Sequence, residues 1–361
     1  MISQFMGCEK VRTVWARSGP GAALAWAVRF LSKFYIDGFI LSILASVALA
    51  SVFPARGTAA DVVDVLTKIA IALLFLLYGT RLSPKEALAG LTHWRLHLVV
   101  LACTFVAFPL LGLAARVLVP SVLTDDLYTG LLFLCLVPST VQSSIAFTSI
   151  AKGNVPGAIV SATTSNLLGV FITPLLVILL MNTTGHASVD FSSIGDIVLQ
   201  LLVPFAIGQL IRPKVIGWLS RYAEPTKLVD RGSILLVVYA AFSAGMVEGI
   251  WHMLSPWRIL ALAGVCCLLL ALVIALTMLI GRFAGFSRAD RIVIVFCGSK
   301  KSLATGLPMA TVLFASQPVG LIVLPLMMFH QIQLITCAAL SQRWAKQADD
   351  PGEASELKPA A

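Results

Sequence analysis

The chain is built from apolar runs that are each long enough to cross a lipid bilayer as a helix. A bilayer core needs about 20 apolar residues per helix. About ten such runs follow one another, and they lie at 37–54, 62–80, 96–119, 127–150, 157–181, 195–211, 232–250, 257–281, 289–315 and 318–341. Only 12% of the residues are charged, which is roughly half the share in a soluble domain. The sequence therefore predicts an all-α polytopic membrane protein with about ten transmembrane helices.

Basic residues are distributed unevenly among the segments that flank these runs. Twenty lysines and arginines fall in one alternating set of segments, which includes both termini, and three fall in the other set. By the positive-inside rule, this pattern predicts that both termini lie in the cytoplasm, and we expect the cell (inner) membrane as the location. The same topology explains the net charge of +9. We expect no nucleic-acid partner, because no basic stripe is interleaved with stacking aromatic residues.

The apolar runs divide into two halves of five. The first half covers 37–181 and the second covers 195–341. Because five is an odd number, the second half enters the membrane in the opposite orientation, which predicts the inverted repeats of a secondary transporter. Residues 1–36 are expected to be an N-terminal cytoplasmic extension, either an amphipathic surface segment or a stretch that precedes the true start. Residues 342–361 are polar and predict a disordered cytoplasmic tail.

The fourth run of each half is interrupted by polar residues and helix breakers. In the first half, Pro138 cannot continue a hydrogen-bonded helix without a break or a kink. The polar residues that follow it are candidates for a substrate or ion site, namely Ser139, Thr140, Gln142, Ser143 and Ser144. Two interpretations stay open. The helix is either broken, with backbone groups facing an internal cavity, or kinked, with hydroxyls that bond to its own carbonyls.

In the second half, the sequence CGSKKSLATGLP at 297–308 places two lysines near the middle of an apolar run. Lys300 and Lys301 lie roughly 15 Å from either end of the run, too deep for a lysine to reach water. A central lysine costs about 2.5–3.5 kcal/mol, so we expect both to face a cavity, a helix C-terminal end or an anionic ligand. A surface connector between two short helices is the alternative. The polar neighbours are Ser299, Ser302 and Thr305, and the expected helix breakers are Gly298, Gly306 and Pro308.

Polar residues in two further runs are candidates for the same site. His330, Gln331 and Gln333 lie in the last run, and Asn166 lies in the fifth. Hydrogen bonds between helices are the alternative explanation for these residues. No Asp or Glu lies near the middle of a run, and no Cys/His pair has zinc spacing. We therefore expect no metal and no cofactor, apart from possible coupling to Na⁺ or H⁺.

Taken together, the motifs resemble the sodium/bile acid cotransporter superfamily, and within it the bacterial branch related to the vertebrate seventh member. They are PSTVQSS and AKGN in the fourth run, CGSKKSLATGLPMA in the ninth, RLSPKEAL at 81–88 and FHQIQL at 329–334. The resemblance covers about 34–343. It implies a panel domain of spans one, two, six and seven and a core domain of the other six. It also implies that spans four and nine are broken and cross at their breaks.

One departure from the family pattern bears on the mechanism. Sodium-coupled members carry a glutamate in span nine and a glutamine four residues later, and these positions correspond to Ser299 and Leu303 in this chain. The acidic sodium ligand is therefore missing, and lysines stand beside its position. We hypothesise that Lys300 or Lys301 takes the electrostatic role that a sodium ion has in those relatives. Transport would then be independent of sodium, or coupled to protonation of a lysine.

The expected function is secondary active transport of a small organic anion across the lipid bilayer by alternating access. The alternative is a non-transporting membrane regulator or scaffold that retains the transporter fold. An enzyme is not expected, because the sequence has no HExxH, GxSxG, paired-carboxylate or P-loop motif. His93 and His97 have the spacing of a metal pair on a helix, but they have no evident partner ligands and are expected to pack near the membrane interface.

Overall fold

The structure is a computed structural model, and it describes residues 38–81, 93–181, 195, 198–247, 249, 255–315 and 317–349. The regular elements within these ranges are all helices. The first half contains α1 (Gly38–Val52), α2 (Thr58–Arg81), α3 (Trp94–Leu118), α4 (Asp125–Leu136), α5 (Val141–Ile150) and α6 (Val155–Met181). The second half contains α7 (Val198–Arg221), α8 (Ala223–Val247), α9 (Pro256–Phe283), α10 (Arg288–Gly298), α11 (Leu303–Leu313) and α12 (Val319–Asp349). The predicted extension at 1–36 and the stretch 82–92 lie outside the described residues.

Six helices in the described ranges are long and apolar enough to cross a membrane, judged by length and composition. They are α3, α6, α7, α8, α9 and α12. The pair α4 and α5 meets the same criterion when taken together, and the two helices are bent by 63° at the break between them. The prediction of an all-α polytopic membrane protein is therefore confirmed for the part of the chain that the structure describes, and the number of about ten transmembrane helices stays a prediction.

One group of helices is formed by α2, α7 and α8, with α2 packed along the other two. Two glycines allow α2 and α7 to approach closely. A side chain at Gly79 would overlap the carbonyl oxygen of Phe205, and a side chain at Gly208 would overlap that of Leu76. Because both glycines contact backbone rather than a movable side chain, neither position has room for a Cβ atom.

A second group consists of α3 to α6 with α9 to α12. In this group α12 packs against α4, α5, α9 and α11, and α10 packs against α3, α5, α6 and α9. The closest approach of α4 to α12 occurs at Gly130, where a side chain would overlap the carbonyl oxygen of Ile322. The first group is joined to the second by α8, which contacts α11 and α12. The interrupted helices therefore lie inside the second group, beside α8.

The last helix is longer than the sequence predicts. The predicted final run ends at 341, whereas α12 continues to Asp349. The added sequence, QRWAKQAD, is rich in helix-forming residues. Trp344 in this stretch also packs against Phe296, with 5.4 Å between the ring centroids. The predicted tail therefore begins too early, and residues 350–361 lie outside the described ranges.

Addition of a single methyl group tests the contact between α2 and α7. Gly79→Ala should destabilise the protein by about 1–3 kcal/mol, because the new Cβ forces the two backbones apart. Gly264→Ala on α9 is the matched control, since a Cβ there meets nothing within 4 Å and alanine favours a helix by about 1 kcal/mol. Thermal unfolding in detergent measures both variants. Equal unfolding temperatures would contradict the packing described for α2 and α7.

Candidate functional site

Two helices of the second group are each interrupted by four non-helical residues. Residues 137–140 separate α4 from α5, and residues 299–302 separate α10 from α11. A residue that precedes proline avoids the helical conformation, and Val137 before Pro138 is extended, with φ −73° and ψ 156°. The first interruption is therefore a broken helix and not a kinked one, which decides between the two interpretations of this stretch.

The two breaks contact each other through backbone and hydroxyl groups. The Ser302 amide donates a hydrogen bond to the Pro138 carbonyl at 2.8 Å. The Ser139 hydroxyl donates to the carbonyl of Cys297, near the end of α10, at 2.6 Å. Helix ends leave amides and carbonyls without a partner inside the helix. At this crossing, each break supplies partners for the other.

Lys301 places a buried ammonium group at the end of α4. Its Nζ donates hydrogen bonds to the carbonyls of Thr104 at 2.9 Å, Cys135 at 2.8 Å and Val137 at 2.8 Å. The same atom lies 4.1 Å from the ring centroid of Phe108, and the side chain is fully buried. An ammonium has three donors, so every donor of Lys301 has an acceptor.

The local sequence explains why these three carbonyls are free to accept. Cys103–Ala107 forms a π-helical turn in which the Phe108 amide donates to the carbonyl of Cys103 and not to that of Thr104. The next residue, Pro109, has no amide to donate. The other two carbonyls lie at the C-terminal end of α4, where the helix dipole also favours a cation. Sequence reasoning missed Thr104, because in a regular α-helix Pro109 leaves the carbonyl of Phe105 free, and only the π-helical turn shifts the free acceptor to Thr104.

Lys300 points into a different environment from its neighbour. Its side chain is fully buried, and its Nζ lies 3.8 Å from the ring centroid of Phe147 on α5. Phe147 belongs to an apolar cluster that includes Phe296 and Cys337. No hydrogen-bond acceptor for the Lys300 amine lies among the described residues. The expected surroundings of the lysines are a cavity, a helix C-terminal end or an anionic ligand. Lys301 faces a helix C-terminal end, whereas Lys300 faces an aromatic ring.

The backbone of Lys301 is held by side chains from two helices. The Gln333 side chain on α12 accepts from the Lys301 amide at 2.9 Å and donates to its carbonyl at 2.8 Å. The Thr140 hydroxyl donates to the same carbonyl at 2.9 Å. His330 lies beside them, with its Nδ1 at 2.9 Å from Nε2 of Gln333. Thr140, His330 and Gln333 thus meet at the backbone of one residue, Lys301.

Asn166 connects α6 to both breaks. Its side-chain amide donates to the Ser139 carbonyl at 2.7 Å, and its carbonyl oxygen accepts from the Thr305 hydroxyl at 2.9 Å. The Ser302 hydroxyl donates to that of Thr305 at 3.0 Å and caps the start of α11. Ser165, which sequence reasoning missed, accepts from the Ser139 amide at 3.1 Å. The predicted residues Asn166, Ser139, Ser302 and Thr305 therefore form one connected network.

The remaining predicted side chains are less involved in the crossing. Ser144 and Ser299 donate to backbone carbonyls in the last turn of α10. The hydroxyl of Ser143 has no hydrogen-bond partner in the described part of the chain. Gln142 is exposed and Gln331 is half-buried. Of the predicted residues, these have the fewest contacts that would tie them to the two breaks.

Of the three helix breakers predicted in the second half, one ends a helix and two lie inside one. Gly298 ends α10, directly before the second break. Gly306 and Pro308, however, lie inside α11, so the prediction that they break a helix is wrong. A side chain at Gly306 would crowd the side chains of Leu326 and Val137. This glycine therefore allows α11 to pack closely beside the first break.

Pro308 creates a contact between the two helix groups. It lacks the amide that would bond to the Ala304 carbonyl one turn earlier. The Tyr78 hydroxyl of α2 donates to that carbonyl at 3.2 Å. One turn further along α2, Arg81 forms an ion pair with Asp230 of α8. Sequence reasoning missed Tyr78, although a proline four residues after a carbonyl indicates a free acceptor.

The two histidines with metal-pair spacing lie in different environments. His97 is buried, and its Nδ1 lies 2.7 Å from the Ser161 hydroxyl of α6. His93 is exposed at the start of α3. Within the described ranges, no group of three or more His, Cys, Asp or Glu residues could hold a metal ion. His97 therefore acts as a packing and hydrogen-bonding residue between α3 and α6.

Comparison with known proteins identifies the family. A model of the SBF-like CPA transporter family (DUF4137) matches residues 37–346. The chain is 54% identical over 323 residues to "Uncharacterized protein PA2026" of Pseudomonas aeruginosa, which covers 89% of this chain and 97% of that protein. It is 49% identical over 314 residues to "Putative symporter YfeH" of Escherichia coli, which covers 87% of this chain and 94% of that protein. It is 28% identical over 320 residues to "Sodium/bile acid cotransporter 7" of Rattus norvegicus, which covers 87% of this chain and 94% of that protein.

The chain therefore belongs to the SBF-like CPA transporter family. This result confirms the resemblance to the sodium/bile acid cotransporters that the motifs indicate. Membership and the long apolar helices together identify an integral membrane protein. The family also assigns a transport function and not an enzymatic one.

The two adjacent lysines should differ sharply in their effect on stability. Lys301→Met leaves three buried carbonyls without their donor and should cost several kcal/mol, because each unsatisfied buried acceptor costs about 1–3 kcal/mol. Lys300→Met leaves no acceptor unpaired and should stay within about 1 kcal/mol of wild type. Thermal unfolding in detergent gives both values. Equal losses in the two variants would contradict the roles of the two side chains described above.

Proposed function

We propose that this protein is a secondary active transporter that moves a small organic anion by alternating access. Its ten membrane spans form inverted repeats at 37–181 and 195–341, and both termini lie on the cytoplasmic side of the cell (inner) membrane. Support comes from the match between the halves, because α4–α5 and α10–α11 are each interrupted by four residues and meet at their breaks. Matching broken helices of this kind build the binding sites of many transporters.

The observation that carries the proposal is the position of the Lys301 ammonium. Unwound backbone carbonyls at broken helices are the ligands that many transporters offer to a sodium ion. In this chain, two such carbonyls and one from the π-helical turn of α3 bind the ammonium at 2.8–2.9 Å. The ammonium is part of the chain and cannot dissociate as an ion does. Transport by this protein is therefore independent of sodium, with Lys301 in place of the cation.

The surroundings of the crossing suit an anionic substrate. The side chains of Thr140, Asn166, His330 and Gln331 are half-buried, and they provide hydrogen-bonding groups that a ligand can reach. The helices α5 and α11 both begin at the breaks, and the N-terminal end of a helix attracts negative charge. Together with the positive charge of Lys301, these groups favour a carboxylate or a similar anion. The rat relative's name makes a bile acid the first compound to test.

Alternating access requires one group of helices to move against the other. The group α2, α7 and α8, together with α1, corresponds to the expected panel domain, and the other helices correspond to the core domain. The hydrogen bond from Tyr78 to the Ala304 carbonyl joins these two groups beside the second break. This bond is one of the contacts that must change when the core moves, because it links α2 directly to the broken helix.

Counterflow in proteoliposomes tests the proposal. Purified protein is reconstituted with unlabelled anion inside, and uptake of labelled taurocholate and of a panel of small carboxylates is measured with NaCl or with choline chloride. Uptake of at least one anion should proceed equally in both salts, because Lys301 supplies the positive charge. Lys301→Met is expected to lose this uptake. Lys68→Met, which changes an exposed lysine paired with Asp64 on α2, is the matched control and should retain it.

Two results would contradict the proposal in different ways. An absolute requirement for Na⁺ would show that the lysine does not replace the coupling cation. Exchange of none of the anions, together with no shift in the unfolding temperature when they are added, would favour the alternative of a non-transporting membrane regulator or scaffold. Either result leaves the family assignment unchanged.

A further inference from the structure

Lys300 is a fully buried amine that has no acceptor among the described residues. It lies in the same break as Lys301, but its Nζ faces the ring of Phe147 and has no hydrogen-bond partner among the described residues. The ion pairs found in that part of the chain do not include it. A protonated lysine carries three donors, and all three would be unpaired in this apolar position. Lys301 shows the opposite arrangement, with an acceptor for each donor.

A comparison of interaction free energies decides whether this position favours the charged or the neutral form of Lys300. A cation–π contact contributes about 0.5–2 kcal/mol, whereas an uncompensated buried charge costs several kcal/mol. The titratable groups that interact with Lys300 are Cys297 of α10 and Cys337 and His330 of α12. Thiols and an imidazole provide no fixed negative charge, and the adjacent Lys301 carries a positive one. The enclosed position therefore accommodates a neutral amine and resists an ammonium.

We propose that Lys300 is the site at which this transporter binds its coupling proton. This inference rests on the proposed transport function and assigns different tasks to the two lysines. Lys301 remains a permanent cation that holds the crossing, while Lys300 changes between amine and ammonium once per cycle. In each cycle the amine takes one proton from one side of the membrane and releases it on the other. A proton that accompanies a monovalent anion makes the transported pair neutral.

The packing around the second break explains how protonation is linked to movement. The amine of Lys300 is enclosed by α5, α10 and α12, and the next peptide unit is fixed by Gln333 and Thr140. An ammonium at Lys300 needs an acceptor that this enclosure does not offer, so proton uptake favours a conformation in which these helices separate. A proton that binds one conformation better than the other shifts the equilibrium between them. Such a shift is what proton-coupled alternating access requires.

Proton binding can be measured without knowing the substrate. Full-length protein in detergent is titrated potentiometrically, and the wild type is compared with Lys300→Met. Wild-type protein should take up about one proton more per chain than the variant as the pH falls below roughly 9, which lies under the ordinary range of a lysine. Lys68→Met, with the same substitution at an exposed lysine, should titrate like the wild type over this range. Identical curves for the wild type and Lys300→Met would overturn the proposal.

A second variant tests whether the missing proton in Lys300→Met belongs to Lys300 itself and does not result from a change in structure. Lys300→Gln keeps a hydrogen-bonding head of similar length but cannot bind a proton in this range. It should show the same deficit of about one proton as Lys300→Met. If Lys300→Gln instead titrates like the wild type, the missing proton in Lys300→Met belongs to another group, and the assignment to Lys300 is wrong.

A pH gradient across proteoliposomes then tests the coupling. The probe is the labelled anion that exchanges in counterflow, with taurocholate tried first, and the vesicles contain no Na⁺ and are alkaline inside. Wild-type protein should accumulate the probe above its equilibrium level, whereas Lys300→Met and Lys300→Gln should not. If the wild type exchanges the probe but accumulates none, proton coupling is wrong and the proposed transport function stands. If no anion exchanges at all, the transport function fails and the coupling role fails with it.

Discussion

The interaction on which the crossing depends is the contact between one ammonium group and three backbone carbonyls. Lys301 binds the carbonyls of Thr104, Cys135 and Val137, which come from α3 and from the broken end of α4. Without a cation, these three acceptors would face one another in a site that water does not reach. The helix α4 can therefore stop inside the apolar core because a charge from the opposite half of the chain satisfies two carbonyls at its broken end.

The sequence predicts the broken helices and the depth of the lysines, since both follow from local properties. Pro138 ends α4, and the distance of Lys300 and Lys301 from the run ends requires burial within protein. The sequence does not predict which lysine meets the carbonyls, because the direction of a side chain in a non-helical segment depends on tertiary packing. The sequence also does not identify Thr104 as part of the site, because this residue contributes a backbone carbonyl that any residue type could supply. Tertiary packing also explains why the prediction for Gly306 and Pro308 is wrong. A helix that is stabilised by its neighbours tolerates both residues.

A cation that is part of the chain contributes to stability in a different way from a cation that binds from solution. The stability that a bound ion contributes grows with the logarithm of its concentration relative to its dissociation constant, whereas a lysine contributes at any salt concentration. A permanent charge cannot, however, drive a cycle by binding and release. In the proposed cycle a second group exchanges protons with the solution, and we assign this task to the neighbouring Lys300, whose buried amine has no hydrogen-bond partner among the described residues.

The most direct test of this account is a cryo-electron microscopy map of the full-length protein in lipid nanodiscs, recorded once in NaCl and once in choline chloride at a resolution that shows carbonyl oxygens. The account predicts that in both salts the Lys301 amine lies within hydrogen-bonding distance of the Thr104, Cys135 and Val137 carbonyls. A metal ion between these oxygens in NaCl, with the Lys301 side chain turned away from them, would contradict it.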